Sequence, residues 1–308
     1  MTVDIVIPTY KPTAKFLALM DALLCQTLTA EKIIIINTEK SYFETLMPEE
    51  TFLEKYPSSI IFHLKAAEFD HGGSRNLGVS HTTGDYFCMM TQDAVPADEH
   101  LLKRLLDGLM QSENAAVCYA RQMANADSDA LERFMRVYNY GEEMQEKSRT
   151  DLERLGLKTF FCSNVCALYD KAIFNELGGF INKAIFNEDM IYAAKAIGAG
   201  HVIRYEPSAV VYHAHDYGLG QQMKRNFDLG VSHAEYATYF SGLGAEAEGL
   251  KMIKAAVVYL IKQKKPGLIF KLFAQSIAKY RGFRLGRKYY LLSDEKILKY
   301  SANLNYWK

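Results

Sequence analysis

Cysteine is scarce in this chain of 308 residues: there are five (Cys25, Cys88, Cys118, Cys162 and Cys166), an odd number, with no Cys-x-x-Cys pair. That pattern indicates neither a disulfide framework nor a zinc module, and it fits a reducing, cytoplasmic setting. Long hydrophobic runs are missing too. The longest, such as residues 33–36 and 255–261, fall short of the roughly 18 apolar residues that span a bilayer. Residues 1–8 carry no basic n-region and place an acid, Asp4, among the apolar positions, so they read as a buried strand and not as a signal peptide. Glycine-rich nucleotide motifs are lacking. There is no Gly-x-x-x-x-Gly-Lys-Ser/Thr, and the nearest Gly-x-Gly-x-x-Ala run, residues 242–247, follows no strand, which argues against dinucleotide oxidoreductases and P-loop enzymes.

What is present describes a folded protein: 49% hydrophobic and 12% aromatic residues, too many for disorder. The formal net charge of zero conceals an asymmetry. Residues 251–308 hold 14 Lys/Arg against only Asp294 and Glu295, a net of +12, which leaves −12 on residues 1–250. An acidic body with a basic tail points to an anionic partner for the tail.

Apolar runs at residues 3–8, 32–36, 59–64 and 85–90 read as strands, and 202–211 closes the series. Helical spacing falls at 14–24, 73–80, 171–177 and 189–198, and a charged helical stretch is expected at 130–154. Strands alternating with helices imply an α/β sheet. Beyond residue 218 the pattern is helical and basic, so the expected division is a catalytic domain over 1–217 and a helical region over 218–308. Ligands of open parallel sheets bind beyond the carboxyl ends of strands, which directs attention to Thr9-Tyr10, Asn37-Thr38-Glu39 and Gln92-Asp93.

Five short motifs occur in order: Ile5-Val6-Ile7-Pro8-Thr9-Tyr10, Gly73-Ser74-Arg75-Asn76, Thr91-Gln92-Asp93-Ala94, Gly178-Gly179-Phe180 and Glu188-Asp189. Together they resemble family 2 glycosyltransferases of GT-A fold. The wording Phe69-Asp70-His71-Gly72-Gly73-Ser74-Arg75-Asn76, with the late His213-Ala214-His215, is similar to bacterial polysaccharide rhamnosyltransferases. The resemblance spans about residues 3–217. It implies a Rossmann-like, mostly parallel sheet flanked by helices and an inverting transfer, L-rhamnose from dTDP-β-L-rhamnose being the first choice and another hexose from a UDP-sugar the alternative.

The same resemblance assigns roles. Asp189 is the general base and Glu188 an orienting neighbour, the plain alternative being helix N-terminal dipole partners. Asp93 would hold Mg²⁺ or Mn²⁺ at the diphosphate, although the family usually shows Asp-x-Asp and Thr91 stands where the first acid would be. His213 or His215 would add an imidazole, with His215 narrowly preferred. Thr9 and Tyr10 lie where the nucleoside is contacted and Asn37 near the position that meets the pyrimidine; Glu39, Arg75, Asn76 and Gln92 join them in binding the donor, the Arg75 guanidinium on a phosphate or on Asp93. Arg75 reads equally well as a structural salt bridge. Ser163 and Asn164 align with the acceptor side.

In the tail, Met252, Ile253, Ala256, Val257, Leu260 and Ile261 form one helical stripe ringed by lysines, which suits an interfacial helix. Interleaved tyrosines and arginines after residue 280 suit anionic lipid. The expectation is a cytoplasmic protein, peripheral on the inner face of the membrane, meeting a lipid-linked glycan acceptor. Packing of the tail against the body, or against a second copy in a homo-oligomer, is the alternative. Two rivals remain: a sugar-nucleotide or glycan-binding module without turnover, and an RNA-binding tail, a nucleic-acid partner being the less expected.

Overall fold

Residues 3–10 are apolar on both faces and pair in parallel with two equally apolar neighbours, as a strand must when helices cover both sides of a sheet. In the computed structural model, residues 1–214, 217–242 and 245–308 are described. In chain order the first half runs β1 (Val3–Tyr10), α1 (Ala14–Leu24), β2 (Ile33–Thr38), α2 (Lys40–Leu46), α3 (Glu49–Lys55), β3 (Ser59–Leu64), α4 (His71–Ser80), β4 (Tyr86–Met90), β5 (Val95–Pro96), α5 (Leu101–Met110) and β6 (Ala115–Met123). There follow α6 (Ala130–Asn139), β7 (Gln145–Lys147), α7 (Leu152–Leu155), β8 (Cys166–Asp170), α8 (Lys171–Glu176), α9 (Glu188–Gly198) and β9 (Val202–Tyr212). The C-terminal region is helical: α10 (Leu219–Glu235), α11 (Ala237–Phe240), α12 (Ala245–Lys262), α13 (Gly267–Gly286) and α14 (Asp294–Tyr300).

One sheet runs β3-β2-β1-β4-β8-β6-β9-β5, with β7 beside β9. The pairs among β3, β2, β1 and β4 are parallel, as is β6 with β9, while β8, β5 and β7 run antiparallel to their neighbours. Alternation along β1 divides the core. Val3, Ile5 and Ile7 join the layer containing Phe16, Leu19, Leu102 and Leu105, and Val6 joins that containing Val79, Phe174, Ile191 and Tyr192. Asp4, the acid inside the first strand, is fully buried and accepts from the amides of Lys32, Thr83 and Gly84 at 3.0, 2.6 and 2.8 Å. Backbone donors thus satisfy a carboxylate that would otherwise be costly to bury.

The helical stretch expected over 130–154 is corrected: its helix stops at Asn139 and the chain returns as edge strand β7. Lys147 on that strand is buried, its ammonium 4.7 Å from the Tyr119 ring centre and bonded to the Phe161 carbonyl. A local charged pattern cannot report that tertiary pocket. Burial pushes this lysine down to about 7.

The motif at residues 70–73 is explained by a close approach. Asp70 caps α4 through the Gly73 amide and also holds the amides of Lys183 and Ala184, each at 2.9 Å. A Cβ on Gly72 would stand 1.7 Å from the Ile181 carbonyl oxygen.

The C-terminal helices pack on the body by a glycine crossing. Cβ atoms on Gly282 and Gly286 of α13 would fall 2.2 and 2.0 Å from the carbonyl oxygens of Met223 and Phe227 on α10. Because backbone meets backbone there, Gly286→Ala is expected to lower the stability of the protein by about 2–4 kcal/mol, measured by urea unfolding; an unchanged midpoint would show that the helices can part freely. The sequence stripe on α12 is also placed: Ile253, Ala256, Val257 and Leu260 pack against Leu131 and Leu272, that is, on α6 and α13. It therefore covers protein, and of its members Ile261 stays open, at 58% exposure. The outward apolar face lies instead on α13, at Phe270, Phe273, Ile277 and Tyr280.

Candidate active site

The ends of β2, β1, β4, β6 and β9 and the beginning of antiparallel β8 share one edge of the sheet. Residues remote in sequence meet there for that reason. At the β1 end, Gln92 clamps Tyr10, accepting from its amide at 3.0 Å and donating to its carbonyl at 2.9 Å. The Tyr10 ring is half exposed, edge-on to Tyr42 at 5.5 Å, and the Lys11 ammonium sits over both rings. An open aromatic face of this kind can stack on a base.

Thr9 and Asn37 are buried beside it. Thr9 Oγ1 donates to Asn37 Oδ1 at 2.9 Å, and Asn37 Nδ2 donates to the Glu39 carbonyl at 3.1 Å and to His63 Nδ1 at 2.9 Å. Both ends of the Asn37 amide are therefore engaged. Glu39, at φ 65°, holds the Ala66 amide with its side chain. These three residues shape the rim that presents Tyr10.

His213, after β9, places Nε2 3.5 Å from Asp93 Oδ1, while its Nδ1 lies 3.1 Å from Gln122 Oε1. The same amide oxygen accepts from Arg136 at 2.7 Å. A guanidinium only donates, so the amide is oriented and His213 Nδ1 carries the hydrogen. In the neutral ring the nitrogen facing Asp93 is then a lone pair. One imidazole nitrogen and one carboxylate are a donor set that suits Mn²⁺ or Mg²⁺ if diphosphate oxygens and water complete the shell. No larger group of His, Cys, Asp or Glu that could hold a metal is found among the described residues. His215 lies outside the described residues.

The two carboxylates of α9 sit at its mouth. Asn187 enters in the left-handed region, φ 64°, which asparagine tolerates. Asn164, at the head of β8, organises both acids: its amide donates to Asp189 Oδ2 at 3.1 Å, and its Nδ2 donates to Glu188 Oε1 at 3.0 Å. Tyr169 fixes Asn164 by donating to Oδ1 at 2.7 Å. Arg75 lies against Glu188 at 3.2 Å and bonds the His71 carbonyl. Burial pushes Glu188 up, but Arg75 and His71 outweigh it and hold the group below its ordinary value. Burial, with the Glu188 charge beside it, pushes Asp189 up to about 7. Two adjacent carboxyls driven apart in this way mark a site for proton transfer.

Asp93 and Asp189 are joined by one run of contacts: His213 to Gln122, Gln122 Nε2 donating to Ser163 Oγ at 2.9 Å, then Asn164 to Asp189. Of the other residues expected to bind the donor, Gln92 and Asp93 lie on this edge. Arg75 sits with Glu188, and Asn76 is occupied with the Phe180 backbone at 2.8 and 3.0 Å. Sequence reasoning missed Gln122 and Arg136. The apolar run Ala115–Ala120 was the signal that could have revealed the strand carrying Gln122.

Removing the Arg75 charge would leave Glu188 buried and unpaired. Arg75→Met is therefore expected to cost about 3–5 kcal/mol, and adding Glu188→Gln should recover most of it. Chemical unfolding of the three variants checks this; additive losses would show that the two side chains do not interact.

This fold and edge define a glycosyltransferase of GT-A type. Residues 4–178 match glycosyl transferase family 2, and the chain belongs to that family. It is 34% identical to the O-antigen chain rhamnosyltransferase RfbN of Salmonella typhimurium, over 100% of this chain and 96% of that protein. It is 33% identical to the O-antigen chain rhamnosyltransferase WbaN of Salmonella anatum, over 98% and 95%. Among solved structures it is similar to the mannosyltransferase PcManGT of Pyrobaculum calidifontis, solved with GDP-Man and Mn²⁺, at TM-score 0.59 and 15% identity over 90% of this chain and 86% of that one. It is also similar to S. aureus TarS with UDP-GlcNAc, at TM-score 0.54 and 14% identity over 94% and 92%.

Proposed function

We propose that this protein is an inverting rhamnosyltransferase that moves L-rhamnose from dTDP-β-L-rhamnose to a saccharide hydroxyl of a growing cell-surface polysaccharide. The sugar and the polymer are carried from the two full-length relatives. The observation that carries the chemistry is Asp189: a carboxyl poised near neutrality, held by the Asn164 amide and linked through Ser163, Gln122 and His213 to Asp93.

On this reading Asp189 takes the proton of the acceptor hydroxyl as that oxygen attacks the anomeric carbon in line, opposite the departing diphosphate. Glu188 stays ionised, and its charge makes Asp189 a stronger base, which takes the proton in its ionised form. Asn164 aims both carboxyls, and Ser163 lines the acceptor side. Tyr10 stacks on the base, while Thr9, Asn37 and Glu39 hold the rim behind it. Asp93 and His213 would hold a divalent cation, which when bound supplies neutralisation of the leaving diphosphate. The decisive experiment supplies dTDP-β-L-rhamnose with Mn²⁺ and a saccharide acceptor, then reads release of dTDP and the anomeric configuration of the product. An α-linked product with metal-dependent release supports the reading; a β-linked product would overturn inversion.

We further read residues 218–308 as a helical region that brings the enzyme to a lipid-linked acceptor at the inner face of the cell membrane. The support is the outward face of α13, where Phe270 is 83%, Phe273 48%, Ile277 57% and Tyr280 53% exposed. No acidic residue occurs between 249 and 293. Apolar rings on a segment rich in Lys and Arg suit an anionic bilayer. Phe270→Ser with Phe273→Ser should reduce co-sedimentation with phosphatidylglycerol vesicles at least about fivefold; a loss of self-association instead would identify a second copy as the occupant.

A further inference from the structure

The cleft between α6, the end of β9, α10 and α13 encloses about 580 Å³. It opens beside His213 and Gln122, so it adjoins the edge that carries Asp93. Its charges do not balance. Lys271 is paired with Asp129 at 2.9 Å, and Arg136 with Glu132 at 2.9 Å. Beyond Lys15 at the exposed lip, two more cations line it, Arg225 from α10 and Lys279 from α13. Among the described residues, no carboxylate lies within ion-pair distance of either. Arg225 is held instead on aromatic faces, its guanidinium carbon 4.8 Å from the Tyr217 ring centre and 5.3 Å from that of Phe186. Phe186 stands two residues before Glu188 in the chain. The third acid of the wall, Asp127, is exposed.

We infer that Arg225 and Lys279 form an anion site in this cleft that takes a diphosphate group of a substrate. The guanidinium, preset by stacking, presents its remaining N–H donors in a planar fork that matches phosphate oxygens, and the ammonium adds a point charge from the facing helix. Burial lowers the Lys279 ammonium below its ordinary value, a cost that a bound anion would offset. Lys271, Gln275 and Lys279 recur at helical spacing on the face of α13 that lines the cleft, while Phe270, Phe273 and Ile277 face outward. One helix thus separates an exposed apolar surface from a cationic cleft. The inference deepens the transfer reading and rests on it for the ligand's identity. On that reading diphosphate belongs to the nucleotide donor, and a lipid-linked acceptor joined through a diphosphate would carry the same group.

The test titrates inorganic pyrophosphate into the full-length protein by calorimetry, with EDTA present so that no metal contributes. Lys279→Met and Arg225→Gln are each expected to weaken binding at least tenfold, and Lys15→Met, at the exposed lip, to leave it unchanged. Undetectable binding to the unaltered protein, or equal binding by all variants, would overturn the site. Steady-state assays then distinguish the sources. A tenfold rise in KM for polyprenyl-diphosphate-linked acceptor, with donor KM unchanged, assigns the site to the acceptor, and the reverse assigns it to the donor. If both KM values stay unchanged, the site has no part in transfer and the inference fails. Pyrophosphate binding that responds to the variants in a protein that turns over no nucleotide sugar would sustain the site and sink the transfer reading.

Discussion

Asp189→Asn is expected to lower kcat by about 10³-fold or more and at the same time to stabilise the protein. The first effect follows from removing the base that Asn164 aims. The second follows from linkage. Burial and the Glu188 charge raise the Asp189 carboxyl to about 7 in the folded protein, whereas in the unfolded chain it titrates near its ordinary value. A raised carboxyl favours folding most where it is protonated, below the unfolded value, and that advantage is lost as pH rises through about 7. The ionised form is therefore a liability at pH 8, and the amide removes it. Its gain should be on the order of 2 kcal/mol at pH 8 and should vanish below about pH 4. Urea midpoints of both proteins at the two pH values check the sign. For the unaltered enzyme, kcat/KM should climb as pH rises through about 7 and level off above it. A profile flat from pH 5.5 to 8.5 would remove Asp189 from the proton transfer, whatever the variant's activity.

The second large effect belongs to Asp93. Asp93→Asn should reduce transfer about 10²–10³-fold and raise the Mn²⁺ concentration for half-maximal rate at least tenfold. A neutral amide keeps the shape but presents a weaker oxygen donor beside His213 Nε2. The reason to expect more than a lost turn contact is the orientation of His213, whose Nδ1 hydrogen is directed to Gln122 and whose other nitrogen faces the Asp93 carboxylate at 3.5 Å. His213→Gln should shift the metal dependence in the same direction by a smaller factor. Full activity in EDTA would argue that the diphosphate is neutralised by protein cations, and the metal assignment would then fail.

Much of this site was legible before any coordinates. Strands that are apolar on both faces declared a sheet covered on both sides, and the polar residues after them, Thr9, Tyr10, Asn37, Gln92 and Asp93, fall together at the carboxyl ends of its strands. The pair at Glu188 and Asp189 was equally visible. Its electrostatics were not, because the separation of the two carboxyls depends on Arg75, His71 and Asn164, which arrive from other elements. By sequence Arg75 is either a partner of phosphate or Asp93 or, equally, a structural salt bridge, and its guanidinium lies against Glu188. The stretch 130–154 was misread because a buried lysine on an edge strand has the same local signature as a charged helix.

The tail marks the same division. Composition alone made it basic and helical. Which apolar stripe is covered and which is open was decided by packing, since Ala256 and Leu260 find Leu131 and Leu272, while Phe270 and Ile277 find no cover among the described residues. Periodicity and residue chemistry act within a few residues, so most of the elements, the family and the pair of adjacent acids could be read from the sequence by itself. Partners across the sheet, the distances between them and the protonation they impose depend on contacts between distant segments, and the tertiary structure alone decided those.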